Sequence, residues 1–477
     1  MRPVEPKGSA IKGRKKTLEK AWQLLERSII TYRGNPIGTL AAADAARPAL
    51  NYDQVFTRDF AVSAIAFLMR GEQEIVRNFL EALVEMQQRE RSMDCFRPGR
   101  GVMPASFVVK GGRGGEQLVP DFGERAIARV APVDSGLWWL YILRGYVRST
   151  GDWSLAHRTD FQKAMKLILE LCLTTRFDMY RTLLAPDGAY MIDRRMGVYG
   201  YPLDIQVLFF TALCAIRELL RPDDEYLGII SERLGHLAYH LQRYYWLDYR
   251  RLNDIYRYKV EGYGEQVINT FNIYPETIPE WLMEWLPDDG GYYAGNLGPA
   301  RMDFRYFAQG NLMAIISGLA TADQAAAIFA LIEARWADLI GEMPAKLCFP
   351  ALRGRDWKTV TGADRKNSAW SYHNGGNWPC LLWLLIGAAM KADRTDIAQR
   401  ALAIAERRLV ETEWAEYFDG QRGRLVGKEA RRFQTWTIAG YAAGCELMAK
   451  PGHAALLGFD TETTVIACAE SAGPGRI

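Results

Sequence analysis

Histidine and cysteine are few and scattered, and neither type assembles into a site. The seven cysteines, at 95, 172, 214, 348, 380, 445 and 468, form no CxxC or Cys/His pair. They read as thiols of a reducing compartment, not as a disulfide frame or a zinc site. Of the five histidines, His236 and His240 share a helix face at i, i+4. No carboxylate or cysteine partner accompanies them, so a packed helix explains them better than a metal does. GxSxG, Walker, HExxH and GxGxxG motifs are all missing. No metal and no cofactor are expected.

Charge of one sign is missing too: 59 basic against 56 acidic residues leave a net +3. Such a balance creates no dominant field and argues against a nucleic-acid partner. One basic cluster, Lys12 to Lys16, reads as a solvated helix start. The longest apolar run, "CLLWLLIGAAM", is too short to span a bilayer, and the N-terminus is charged where a signal peptide needs an apolar core. A cytoplasmic location without membrane contact is the expectation. Linker tracts are also lacking across the 477 residues. Residues 16–450 are therefore expected to form a single catalytic domain, preceded by a flexible arm (1–15) and followed by a partly flexible tail (451–477).

Helical periodicity is plentiful. Segments such as "RDFAVSAIAFLMRG", "VDSGLWWLYILRGYVRST", "LDIQVLFFTALCAIRELL" and "QTWTIAGYAAGCELMA" keep apolar residues at three- and four-residue spacing, and about a dozen can be counted along the chain. Short joins alternate with long ones rich in Gly, Arg, Asp, Trp and Tyr. An even number of helices paired as hairpins suits an all-α (α/α)6 toroid with its long loops at one end. No repeat at a fixed period supports a solenoid scaffold instead.

The long joins put aromatic rings beside carboxylates, guanidiniums and amides. Rings stack on the C–H faces of sugars, and planar charged groups hold hydroxyls in paired hydrogen bonds. Glycosidic cleavage needs one carboxyl to protonate the leaving oxygen and one carboxylate to activate water or attack carbon. Asp187, Asp193, Glu411, Glu413 and Glu416 are the acids outside regular helices that qualify.

Seven stretches then carry a resemblance: "NYDQVFTRDF", "FRPGRGVMPASF", "DFGERAIARVAPVDSGLWW", "DGAYMIDRRMGVYGYPLDIQVLFF", "YHNGGNWPCLLW", "WAEYFDG" and "RRFQTWTIAGY". In order and composition the chain resembles the alkaline/neutral invertases of glycoside hydrolase family 100. The resemblance implies an (α/α)6 fold, metal-free inverting hydrolysis of sucrose to glucose and fructose, cytosolic location and homo-oligomers. It also implies an acid on the "MIDRR" loop and a base on "WAEYFDG", hence Asp193 as general acid and Glu416 as general base. Asp187 is the rival acid, although Pro-Asp-Gly is by itself a turn signal.

Lesser roles follow. Tyr52, Asp53, Phe56, Arg58 and Asp59 are expected to line a sugar pocket, with Asp59 a possible helix cap. His373, Asn374, Asn377 and Trp378 form a candidate substrate wall around Gly375 and Gly376, or simply a tight turn. Asp134 is a cap, a hydroxyl acceptor or both. Arg194 or Arg195 steadies the acid or a hydroxyl, and Arg432, Gln434 and Trp436 orient the base or the fructose unit. A trehalase-like enzyme of the same fold and a catalytically inactive sugar-binding relative are the alternatives; the products formed from sucrose and from trehalose distinguish them.

Overall fold

Helices that are apolar on every side alternate along the chain with helices apolar on one side, and this alternation sets the architecture. A computed structural model describes residues 7–90, 99–112, 114–124, 132–173, 182–185, 190–192, 196, 198–260, 277–297 and 302–459. Twelve of its helices fall into hairpin pairs, and a further one, Tyr249–Val260, lies within a connection between two of them. The pairs are α1 (Lys7–Arg27) with α2 (Thr57–Arg70), α3 (Gln73–Met86) with α4 (Ser135–Thr150), and α5 (Thr159–Cys172) with α6 (Leu203–Leu219). The series continues with α7 (Tyr226–His240) and α8 (Ala308–Ser317), α9 (Ala322–Ala334) and α10 (Leu382–Lys391), and α11 (Thr395–Leu409) and α12 (Thr435–Ala449).

The even-numbered helices are buried almost all round: α8 from Ala308 to Ser317 without a break, α12 at nearly every residue to Leu447. A helix without a polar face has to sit inside. Accordingly α2, α4, α6, α8, α10 and α12 pack each on the next, and α12 returns to pack on α2. The odd-numbered helices keep one buried stripe, as α3 does with Ile75, Val76, Phe79, Leu80 and Leu83. They lie outside: α3 on α2 and α4, α7 on α6, α11 on α10 and α12, and α1 on α12. This is the expected (α/α)6 arrangement.

Close approach within the ring needs small residues. A Cβ on Gly310 of α8 would lie 2.7 Å from Leu203 Cγ and 2.8 Å from Asp204 Oδ1. The bare backbone lets the Gly310 amide donate to Asp204 Oδ1 at 2.7 Å and so joins α8 to the start of α6. Asp204 Oδ2 is buried without a partner, and burial pushes this carboxyl up to about 7, the Gly310 bond opposing it. The folded chain thus binds a proton here that the unfolded chain releases near 3.8. Stability contributed by this group is present at low pH and lost as pH rises from about 4 to 7. Thermal unfolding across that range is expected to show the decline, and Asp204→Asn to flatten it.

Connections differ by direction. Inner to outer links are short, such as 71–72 and 318–321; outer to inner links are long: 28–56, 87–134, 173–202, 241–307, 335–381 and 410–434. The first link starts with α2 closing on Gly71, whose φ of 86° lets its N–H reach Leu68 O. The long links hold small antiparallel sheets. They contain β1 (Ile29–Tyr32) with β2 (Asn35–Thr39), and β3 (Val55–Phe56) with β4 (Ser106–Gly112) and β5 (Gly115–Asp121). A four-stranded sheet joins β6 (Trp246–Asp248), β7 (Gly291–Leu297), β8 (Met302–Phe307) and β9 (Cys348–Phe349), and β10 (Phe418–Asp419) pairs with β11 (Leu425–Val426).

At the far end, Leu457 to Phe459 fill the space between inner helices. Tyr141 donates to Leu457 O at 3.1 Å, Arg144 to Gly458 O at 2.8 Å, and Lys391 to Phe459 O at 3.0 Å. The Arg144 guanidinium lies 3.7 Å from the centre of the Phe459 ring. At the other terminus α1 begins at Lys7, so residues 7–15, expected in an arm, are helical; a helix that packs on α12 extends back through the basic cluster. No helix among the described residues is long and apolar enough to cross a membrane.

Candidate active site

Every candidate residue lies in a segment that leads into the N-terminus of an inner helix, or in that helix's first turn. Cross-links gather these segments at one end: Ala42 bridges Gln434, Asn377 bridges both Lys346 and Phe418, and Pro202 bridges Asn296. Side chains do the rest.

Glu416 is at the centre. It is 3 % exposed, and its backbone N–H donates to Arg431 O at 2.9 Å while the Arg431 N–H returns to Oε2 at 3.1 Å. The Tyr52 hydroxyl donates to Oε1 at 2.9 Å. Burial raises the Glu416 pKa; Lys366, the Arg431 amide and Tyr52 pull it back. Burial and the Glu416 charge together hold the Tyr52 hydroxyl well above its usual range, so it remains a donor. Replacing Tyr52 by Phe is expected to cut kcat about tenfold, the loss of one charge-assisted hydrogen bond. The acid limb of the rate profile should move to higher pH, because the lost donor favoured the carboxylate.

Arg58 and Asp134 form a two-point pair, Nε to Oδ2 at 2.5 Å and Nη2 to Oδ1 at 3.0 Å. Asp134 makes no capping bond with its side chain; its carboxylate ties the start of α4 to the first turn of α2. Asp59 does not cap α2 either, since Phe56 stands at the N-cap position and no side chain closes that end. The Asp59 carboxyl is pushed up to about 7 by burial, partly offset by Arg58, with Glu416 and Asp134 adding to the rise. Tyr52, Phe56, Arg58 and Asp59 are half-buried, whereas Asp53 is exposed.

The loop from His373 to Trp378 is built differently from the expected wall of hydroxyl-binding amides. Asn374 donates to Leu352 O and Asn367 O, both at 3.0 Å, and accepts from Leu352 N at 2.7 Å. Asn377 donates to Ile340 O and Met343 O and accepts from the buried Lys346 ammonium at 2.8 Å. Both amides are engaged by the protein itself. Trp378 is 1 % exposed and stacks on Tyr417 at 5.3 Å, with its indole donating to Tyr372 O. His373 lies parallel to Tyr372 at 4.0 Å. The tight-turn alternative therefore describes the amides and the tryptophan.

Gln434, with its amide turned to satisfy its neighbours, donates to Ala41 O at 3.0 Å and accepts from the Trp436 indole at 3.1 Å. Arg432 donates to Thr412 O at 2.7 Å through its side chain and to Asp44 through its backbone. These groups hold loops to one another. Glu411 and Glu413 are exposed, unlike Glu416.

Asp187, Asp193, Arg194 and Arg195 lie outside the described residues. The described residues that flank them are well fixed. Ala185 and Gly200 exchange backbone bonds at 2.8 and 3.2 Å, Gln206 holds Leu183 by both its N–H and its carbonyl, and Asn296 bonds to Tyr199 and Tyr201. Lys366 and Arg431, absent from the sequence-based assignments, both act on the Glu416 carboxyl.

The family model for alkaline and neutral invertase matches residues 21–451. The chain belongs to that family. Cytosolic invertase 1 of Oryza sativa subsp. japonica is 54 % identical over 93 % of this chain and 80 % of its own. Probable alkaline/neutral invertase D of Arabidopsis thaliana is 52 % identical, with 93 % and 84 % covered, and the chloroplastic neutral/alkaline invertase 3 of rice is 51 % identical, with 94 % and 76 % covered. Among solved structures, a rhamnosidase from Klebsiella oxytoca superposes with a TM-score of 0.55 at 12 % identity, covering 92 % of this chain and 64 % of its own. The GH63 mannosylglycerate hydrolase of Thermus thermophilus gives 0.55 at 11 %, with 90 % and 99 % covered. These two share the fold. As a member of the alkaline and neutral invertase family, the chain is a glycoside hydrolase.

Proposed function

We propose that this chain hydrolyses sucrose to glucose and fructose by inversion, with Asp193 as general acid and Glu416 as general base, in a single catalytic domain over residues 16–450. The observation that carries the reading is the setting of Glu416: a buried carboxylate with each oxygen holding one donor, Tyr52 on one and the Arg431 amide on the other. Each oxygen keeps lone-pair capacity for a water. That water, deprotonated by Glu416, attacks the anomeric carbon of the glucose unit. On the opposite face Asp193 gives its proton to the bridging oxygen, and fructose leaves. Arg194 or Arg195 steadies this acid or a hydroxyl, and Asp187 makes the turn before it.

Arg58 and Asp59 hold sugar hydroxyls, the first oriented by Asp134 and the second an acceptor or donor according to pH. Phe56 and the Tyr372–His373 stack offer apolar faces to the ring. Location in the cytoplasm and assembly into homo-oligomers complete the reading, supported by the family and by a cytosolic relative. The purified chain, given sucrose and trehalose in parallel, should release glucose from sucrose alone, with β-glucose appearing first by NMR. Release from trehalose alone, or α-glucose first, defeats it.

A further inference from the structure

Two cations rest on tyrosine faces next to Glu416. The Arg431 guanidinium is 4.7 Å from the centre of the Tyr52 ring, and Lys366 Nζ is 3.9 Å from that of Tyr372. Tyr372 in turn meets the ring of Tyr417, the chain neighbour of Glu416, edge-on at 5.1 Å. The segment carrying Lys366 is fastened. Asn367 donates to Asp364 Oδ2 at 2.8 Å, accepts from the His373 N–H at 3.1 Å, and takes the Asn374 amide on its carbonyl at 3.0 Å. Lys366 is half-buried, and among the described residues it has no carboxylate in an ion pair. A long flexible cation held this way, without a salt bridge of its own, is available to a charge nearby.

We propose that Lys366 is a positioning residue for the reaction: held on Tyr372, its ammonium acts through space on Glu416 and keeps that carboxyl ionised at the acid end of the working range. The inference rests on Glu416 being the base. The groups that face Glu416 divide by sign. From the start of α2, Asp59 repels its charge; from the segment before α12, Arg431 favours it; Tyr52 donates to it; and Cys380, at the entrance to α10, is a thiol held neutral by burial. Of the groups that oppose burial, Lys366 has the largest effect, ahead of both hydrogen-bond donors. Without it, only the Arg431 amide, the Tyr52 hydroxyl and the Arg431 charge oppose the effect of burial on this carboxyl.

The test is a charge series at one position. Sucrose kcat and kcat/KM are measured against pH for wild type and for K366R, K366Q and K366E. The acid limb is expected to stay in place for K366R, to move up by about half a unit or more for K366Q, and to move further for K366E. Rates well above the limb should change little, and circular dichroism confirms folding of this partly exposed loop variant. An acid limb common to all four proteins overturns the inference, as does a uniform loss of kcat in all three variants. E416Q separates this from failure of the underlying reading: if E416Q is inactive at every pH while the series leaves the limb unmoved, Glu416 stands as base and Lys366 falls. If E416Q keeps its activity, both fall.

Discussion

Glu416→Gln is expected to lower sucrose turnover by about 10³-fold, the middle of the range that a positioned general base supplies. The replacement keeps the size of the side chain, and its carbonyl can still accept from Tyr52. The other half of the amide would face the Arg431 N–H, which donates to Oε2 at 3.1 Å, so two donors would be opposed. Beyond that local conflict, no lone pair of sufficient basicity remains to take a proton from water. KM should change far less than kcat, because Arg58 and Asp59, the groups proposed to hold sugar hydroxyls, are untouched. Steady-state kinetics with sucrose check both numbers; a variant with near-native kcat would remove Glu416 from the mechanism.

Asp193→Ala is expected to cost about 10²- to 10⁴-fold on sucrose, and much less on α-D-glucosyl fluoride, whose leaving group needs no proton. The contrast between the two substrates is the decisive measurement, since a misfolded or misaligned site would lose both. Asp187→Ala should keep most activity on either substrate. Should the contrast appear in the Asp187 variant instead, the proton donor sits at the turn and Asp193 is a binding residue. Both aspartates fall in sequence between Ala185 and Gly200, whose backbone bridge neither substitution touches.

The helices were legible because their signal is local. Gln73 to Met86 repeats its apolar residues at three- and four-residue spacing, which marks a helix by itself, whereas which helices lie inside, such as the wholly buried Ala308 to Ser317, came from the structure. The β4–β5 hairpin was not legible: its tip is glycine-rich, and exposure rises steadily along Ser106–Gly112 without alternating, so no period of two was present. In the site, Glu416 could be named from its motif. The fate of Asn374 and Asn377 could not, since an amide looks the same in sequence whether it faces a sugar or the backbone of Leu352 or Met343. Lys366 escaped for a similar reason. Its effect arises from a ring six residues away and a carboxylate fifty residues away, and nothing in "GADRKNSAW" announces either.

The segment Leu457 to Phe459, tied to Tyr141 and Arg144 of α4 and to Lys391 of α10, braces two inner helices that are not neighbours in the ring, and so acts as a strut across it rather than a link along it.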